Sequence, residues 1–175
     1  MRLKPILAAD LGEKGALVLG RDVGNGPEIV TAYAWKGWKR GARKREDEIR
    51  GQVLYLCLRW KVEVIAHEEA GFFKHGGRVG ASQRWRQEAL RWYCAGERRL
   101  RHIEFLEVPR VGPKRAVQAW GMMRQSAADI GLPVKEWDGE IGDDVRDGCG
   151  IWLKADSALR ERERMRRASD ARTKS

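Results

Sequence analysis

The stretch PILAADLGEKGALVLGRD, Pro5 to Asp22, decides how the rest of the chain is read. An apolar run, Ile6 to Ala9, leads without a break into Asp10. Such a run, with no polar alternation, is the mark of a strand at the centre of a sheet, buried on both faces. Gly12-Glu13-Lys14-Gly15 reads as a tight turn, and GALVLGR, 15–21, as a second strand. The loop DVGNGP leads into a third strand, Glu28 to Trp35, which should form an antiparallel hairpin with the second. The chain therefore opens as a three-stranded meander whose first, buried strand ends on a carboxylate.

Beyond Trp35 the period changes. In GARKREDEIRGQVLYLCLRWK the apolar residues Ile49, Val53, Leu56, Cys57 and Trp60 recur at helical spacing. A fourth strand follows from Val62 to about Glu68, again ending on acid. HGGRVG, 75–80, reads as a flexible loop, and an Arg- and Trp-rich helix runs from about Ser82 to Gly96. RHIEFLEVPR gives a fifth strand ending at Pro109. A helix starts after Gly112-Pro113, with Pro113 suited to the first turn and a stripe of Ala116, Trp120, Met123, Ala127 and Ile130. A last helix spans about Ile141 to Leu159. The order βββαβαβαα implies an α/β domain with parallel neighbours in its second half. The domain spans 1–159. RERERMRRASDARTKS, 160–175, has no apolar periodicity and reads as frayed helix followed by a basic, disordered tail.

Composition bounds the function. Charged residues make up 34% of the chain and hydrophobic ones 42%, as in a soluble globular protein. The net charge of +10 favours a polyanionic partner, of which nucleic acid is the commonest. Cys57, Cys94 and Cys149 are odd in number and lack CxxC spacing, so they read as small core residues in a reducing compartment. His67, His75 and His102 form no zinc-binding pattern. No run approaches the ~18 apolar residues of a membrane span, and the N-terminal apolar segment is too short for a signal peptide. The expectation is a cytoplasmic protein with no membrane partner and no small-molecule cofactor.

Three elements place acid where an apolar run stops: Asp10, the pair Glu68-Glu69, and Asp143, Asp144 and Asp147 at the start of the last helix. Singly, each is explained as a cap, a solvated end or a dipole partner. Together, at the ends of adjacent parallel strands, they would repel and require a cation. Oxygen-only ligands select Mg²⁺ or Mn²⁺, and two such ions about 4 Å apart can drive phosphodiester hydrolysis. On a helical wheel Ile141, Val145, Trp152 and Leu159 fall within ~40° of one another. Asp144 lies about 60° from this stripe and Asp147 about 120°, on the same side. Asp143 lies towards solvent.

These residues carry a family resemblance. ILAADLG in the first strand, VIAHEEAGFF in the fourth, VGPKRAVQAW before the third helix and the D-x-x-D of DDVRDG resemble, in order and spacing, the RuvC Holliday-junction resolvases of the ribonuclease H-like (retroviral integrase) superfamily. The resemblance runs from about Pro5 to Ala155. It implies a ribonuclease H-like fold, with a five-stranded mixed sheet, three antiparallel strands then parallel ones, and helices on both faces. It implies a site of Asp10, Glu68, Asp144 and Asp147 holding two Mg²⁺ or Mn²⁺ ions, with Lys114 assisting at the cleaved phosphate. Leu11-Gly12 stands where the family commonly has Pro-Gly, as in a divergent member, and Glu69 remains an alternative to Glu68.

Two basic segments complete the reading. WKGWKRGARKRE, 35–46, interleaves Trp35 and Trp38 with cations that could track phosphate, the tryptophans either stacking or belonging to the core. GFFKHGGRVGASQRWR, 71–86, follows the fourth strand, and the resemblance implies an aromatic there, Phe72 or Phe73, that wedges at a junction. The candidate DNA contacts are Lys36, Lys39, Arg40, Phe72, Phe73, Lys74, Arg78, Arg84, Arg110 and Arg115. Trp85 and Trp92, seven apart, share a helix face that is core or a dimer contact, and the resemblance implies a homodimer. The expected function is an endonuclease that resolves four-way DNA junctions by paired nicks. The alternatives are another ribonuclease H-like nuclease acting on RNA–DNA hybrids or branched DNA, a non-catalytic nucleic-acid-binding protein of the same fold, and an architectural DNA-binding protein.

Overall fold

The computed structural model describes residues 5–24, 26–70, 78–129 and 140–172, with side chains left undescribed at 78–80, 124–129, 140 and 141. The elements are β1 (Ile6–Asp10), β2 (Gly15–Asp22), β3 (Pro27–Trp35), α1 (Arg43–Trp60), β4 (Val64–Glu68), α2 (Arg78–Gly96), β5 (Glu104–Val108), α3 (Pro113–Asp129) and α4 (Glu140–Arg172). The sheet order is β3-β2-β1-β4-β5. β2 is antiparallel to β1 and β3, and β4 is parallel to β1 and β5. This is the α/β class with the mixed five-stranded sheet expected from the residue pattern.

The unbroken apolar run of β1 has its cause in two cores. Ile6 and Ala8 face α3 and α4, packing with Ala66, Leu106, Ala116, Trp120, Val145 and Trp152. Leu7 and Ala9 face the other way, with Ile65, onto Ile49 and Val53 of α1 and Leu90 and Cys94 of α2. Because strand side chains alternate, even-numbered residues of β1 and β4 point to the α3/α4 face. All three cysteines are free and buried, as small core residues.

Four details differ from the sequence expectation. β4 begins at Val64, because Lys61 ends α1 in a left-handed conformation (φ 53°) and the Val62 N–H bonds the Cys57 carbonyl at 3.1 Å. β5 likewise begins at Glu104. α2 begins at Arg78, so the end of the expected loop 75–80 is helical; a glycine costs a helix only about 1 kcal/mol. α4 continues past Leu159 to Arg172. Apolar periodicity does not sustain that extension. Arg160 pairs with Asp22 and Asp156, and Arg162 with Glu104. Further on, Glu161–Arg164 and Glu163–Arg167 pair one turn apart. Asp22 and Glu104 lie at the sheet end opposite Asp10, so the extension leaves from that end.

Gly148 lets α4 lie close to the sheet. A β-carbon there would stand 2.5 Å from Cγ2 of Val18. Gly148→Ala gains about 1 kcal/mol of helix propensity but forces an overlap costing roughly 1–3 kcal/mol. A net loss is expected, read as a lower denaturation midpoint with unchanged m-value. A midpoint at or above wild type would show that α4 can shift outwards freely.

Candidate active site

β1 and β4 run parallel, with Ile6 opposite Val64 and Ala9 opposite His67. Asp10 and Glu68 are therefore the next residues on adjacent strands, about 4.8 Å apart in main-chain spacing. Both are even-numbered and point to the α3/α4 face. Glu69 follows on the opposite parity, is exposed, and donates its main-chain N–H to Val108 at 2.9 Å. After Asp10 the chain turns sharply. A β-carbon at Gly12 would sit 2.1 Å from the Lys14 carbonyl oxygen, so glycine is required there.

α4 delivers the remaining acids to this face. Val145, Cys149 and Trp152 are buried against the sheet, which turns Asp144 and Asp147 towards the end of β1. Asp143 is exposed and accepts a 2.7 Å bond from Arg146, as its wheel position anticipated.

The electrostatics show that the acids act on one another. The Asp10 carboxyl is pushed up to about 8, first by burial and then by Asp147, Glu68 and Asp144. Asp147, exposed at the edge of the cluster, is pushed up to about 6 by the partial burial of its carboxyl, then by Glu68, Asp144 and Asp143, with Arg110 opposing. Burial also raises Glu68, against the Val111 N–H, Arg110 and Lys154. That N–H donates to Glu68 Oε1 at 2.5 Å. Among the described residues no group of three or more His, Cys, Asp or Glu side chains is placed so as to hold a metal ion. The cluster is open, but its donors are all oxygen and its repulsion is what a hard divalent cation would relieve. It is the chemistry of the donor set, four mutually repelling carboxylates, that fits such an ion.

These shifts fix a pH dependence for the metal-free protein. An acid whose folded value is raised holds its proton more tightly when folded, so stability falls as pH rises towards that value. Above pH 6.5 the contribution of Asp10 remains, with about 8 as its upper limit. In the presence of a chelator, stability should fall between pH 6.5 and 8 by up to roughly 1.4 kcal/mol per pH unit. Denaturation at the two pH values checks this, and a flat profile would place Asp10 in solvent.

Cations surround the acids unevenly. Lys154 donates to the carbonyls of Pro109 and Arg110, each at 2.6 Å. It thereby holds the turn that carries Val111 and places its charge near Glu68. Sequence reasoning missed it, although Lys154 lies two helical turns after Asp147 and so shares its face. Lys114 is exposed in the first turn of α3. Arg110 and Arg115 are exposed on the same side, Arg115 lining a groove of about 500 Å³ with Lys154.

Lys36, Lys39, Arg40 and Arg84 are exposed. Trp35 and Trp38 are 3% and 2% exposed, which places both in the core rather than on a stacking surface. They pack edge-on at 5.8 Å, and Trp38 meets Trp85 at 6.1 Å. The shared face of Trp85 and Trp92 is divided, for Trp85 is half-buried and Trp92 is 75% exposed. Phe72, Phe73 and Lys74 lie outside the described residues, as does the Arg78 side chain. Among the described residues no helix is long and apolar enough to cross a membrane.

No family model matches the chain, and no curated protein matches it by sequence. Solved structures do. Thermus thermophilus RuvC in complex with a Holliday junction substrate superposes with a TM-score of 0.61 and 18% identity, over 90% of this chain and 96% of that one. Another Thermus thermophilus RuvC structure superposes with a TM-score of 0.56 and 16% identity, over 88% and 96%. With the mixed sheet, its strand order and the helices on both faces, this likeness shows that the chain has the RuvC-type, ribonuclease H-like fold.

Proposed function

We propose that the chain is a divalent-metal-dependent endonuclease that resolves four-way DNA junctions by paired nicks. The observation that carries this reading is the meeting of Asp10, Glu68, Asp144 and Asp147, from three elements, at one end of the sheet. Support for the substrate comes from the structural neighbour bound to a Holliday junction and from the +10 charge. The four carboxylates would hold the ions, two per site. Bound Mg²⁺ or Mn²⁺ supplies the Lewis acidity that activates water and stabilises the leaving oxygen.

The chain's own residues do the rest. The Val111 N–H fixes one Glu68 oxygen and so orients the other. Lys154 holds the 109–111 turn in place. Arg110, Lys114 and Arg115 offer exposed charge to phosphate on that side, and Lys36, Lys39, Arg40 and Arg84 do so elsewhere. The 71–77 segment, with Phe72 and Phe73, follows Glu68 and would meet the branch point. Paired nicks need two sites, so the reading includes a homodimer. Trp92 on α2 is an exposed aromatic suited to that contact.

Incubation with a synthetic four-way junction, a linear duplex and an RNA–DNA hybrid, with and without Mg²⁺ or Mn²⁺, tests the function. Symmetric, metal-dependent nicks in the junction alone support it. Preferential cutting of the hybrid would replace it with the alternative nuclease reading, and binding without cutting would leave a non-catalytic DNA-binding protein.

A further inference from the structure

Two consecutive polar residues of α2 are buried beneath the carboxylate site. Arg86 is 7% exposed and Gln87 4%. The helix otherwise buries apolar residues such as Leu90 and Cys94 on this side. Buried polar groups are costly unless bonded, and a buried cation is poor support for stability alone. Both residues are bonded, and their bonds lead to the ends of β1 and β4.

Gln87 Nε2 donates to the Glu68 carbonyl at 2.7 Å. The same oxygen stands 3.1 Å from Nδ1 of His67. Because Arg91 approaches His67 Nε2 as a donor at 3.0 Å, Nδ1 carries the proton and donates. Arg86 Nε donates to the Trp38 carbonyl at 2.9 Å. The Trp38 N–H donates to the Glu13 carbonyl at 2.9 Å, and Lys39 pairs with the Glu13 carboxylate at 3.3 Å. Trp35 Nε1 adds a 3.3 Å bond to the Gly12 carbonyl. The turn that leaves Asp10 is thus clamped to the 35–39 segment, and that segment to Arg86.

The ladder shows why such a clamp matters. The described pairing of β1 with β4 ends at Ala9 and His67. Asp10 pairs with Ala16 of β2, and Glu68 with Val108 of β5. The two carboxylate-bearing residues are each tied to an outer neighbour, past the last pair that ties them together. α2 reaches the end of β4 directly through Gln87, and the turn after β1 through Arg86 by way of Trp38.

We propose that Arg86 and Gln87 are positioning residues that fix the separation of Asp10 and Glu68, and thereby set the affinity of this site for a divalent cation. The inference rests on the metal-centre reading above. Groups that orient ligands from outside typically change metal affinity 10–100-fold when removed.

Thermal melts of the full chain against Mg²⁺ or Mn²⁺ concentration test it without reference to activity. Gln87→Met keeps the length and removes the donor. Arg86→Met does the same for the guanidinium, and Arg86→Lys keeps a charge and a donor. In both methionine variants the concentration giving half the metal-induced rise in Tm should move up about 10–100-fold. Arg86→Lys should recover part of that loss. Gln87→Asn, which keeps the amide but shortens its reach, should show the same upward shift and serves if Gln87→Met fails to fold. A merely structural role would lower the metal-free Tm and leave the metal midpoints at the wild-type value, which would overturn the proposal. Asp10→Asn is the control, since its response should vanish. A wild type with no metal response would remove the metal centre itself, and the brace with it. A normal wild-type response with unmoved variants would remove the brace alone.

Discussion

Asp10→Asn is expected to reduce junction nicking by on the order of 10³-fold or more, while junction binding stays the same or tightens. Burial first, and then the charges of Asp147, Glu68 and Asp144, push the Asp10 carboxyl up to about 8. That environment suits a group held between cations and disfavours a solvated strand end. Asparagine keeps the shape and removes the charge. Affinity for DNA rests on Lys and Arg contacts to phosphate, and one less carboxylate weakens the local repulsion of the backbone. The same change should stabilise the metal-free protein above pH 6.5 and flatten its pH dependence, because the group that must keep its proton in the fold, and would release it on unfolding, is gone. Gel shift, nicking and denaturation on one preparation measure all three. Nicking near the wild-type rate would make Asp10 a strand-end acid with no part in the chemistry.

The fold was legible because its signals are local. The apolar run of β1 marks the sheet centre, and the change from strand to helix period at about residue 43 marks the first crossover. α4 shows both the reach and the limit of such signals. Its core stripe is confirmed at Val145 and Trp152, and Asp144 and Asp147 fall beside the stripe as the wheel requires. Its length was not legible, since residues beyond 159 are held by ion pairs, including distant ones to Asp22 and Glu104, and carry no apolar period. Trp35 and Trp38 show a different limit. Interleaved with cations they fit a stacking surface as well as a core, and only the approach of Trp85 and Arg86 from α2 decides for the core. Arg86 and Gln87 were invisible for the same reason. In sequence they are two polar residues of a charged helix, and their bonds span 48 and 19 residues.

Glu68→Gln is expected to lower the nicking rate at least about 100-fold more than Glu69→Gln. Side chains of a strand alternate between faces, so a shift of one residue turns a group to the other side of the sheet. Ala66 packs in the α3/α4 core and Ile65 in the α1/α2 core. Glu68 therefore shares the face of Ala66 and of Asp144 and Asp147, and its charge acts on Asp10 and Asp147. One of its oxygens is held by the Val111 N–H, a bond that glutamine can also accept at its amide oxygen. The substitution thus preserves the orientation and removes only the charge. Glu69 lies beyond the strand, exposed, and contributes a main-chain bond to Val108 that glutamine leaves intact. Its loss should change nicking by no more than a few-fold. The measurement is single-turnover nicking of a four-way junction at saturating metal, with junction binding as the control for folding. Equal losses in the two variants would mean that the chain end after β4 can bring either carboxylate to the ions. The reversed ranking would move the strand-four ligand to Glu69 and require β4 to shift by one residue when metal binds.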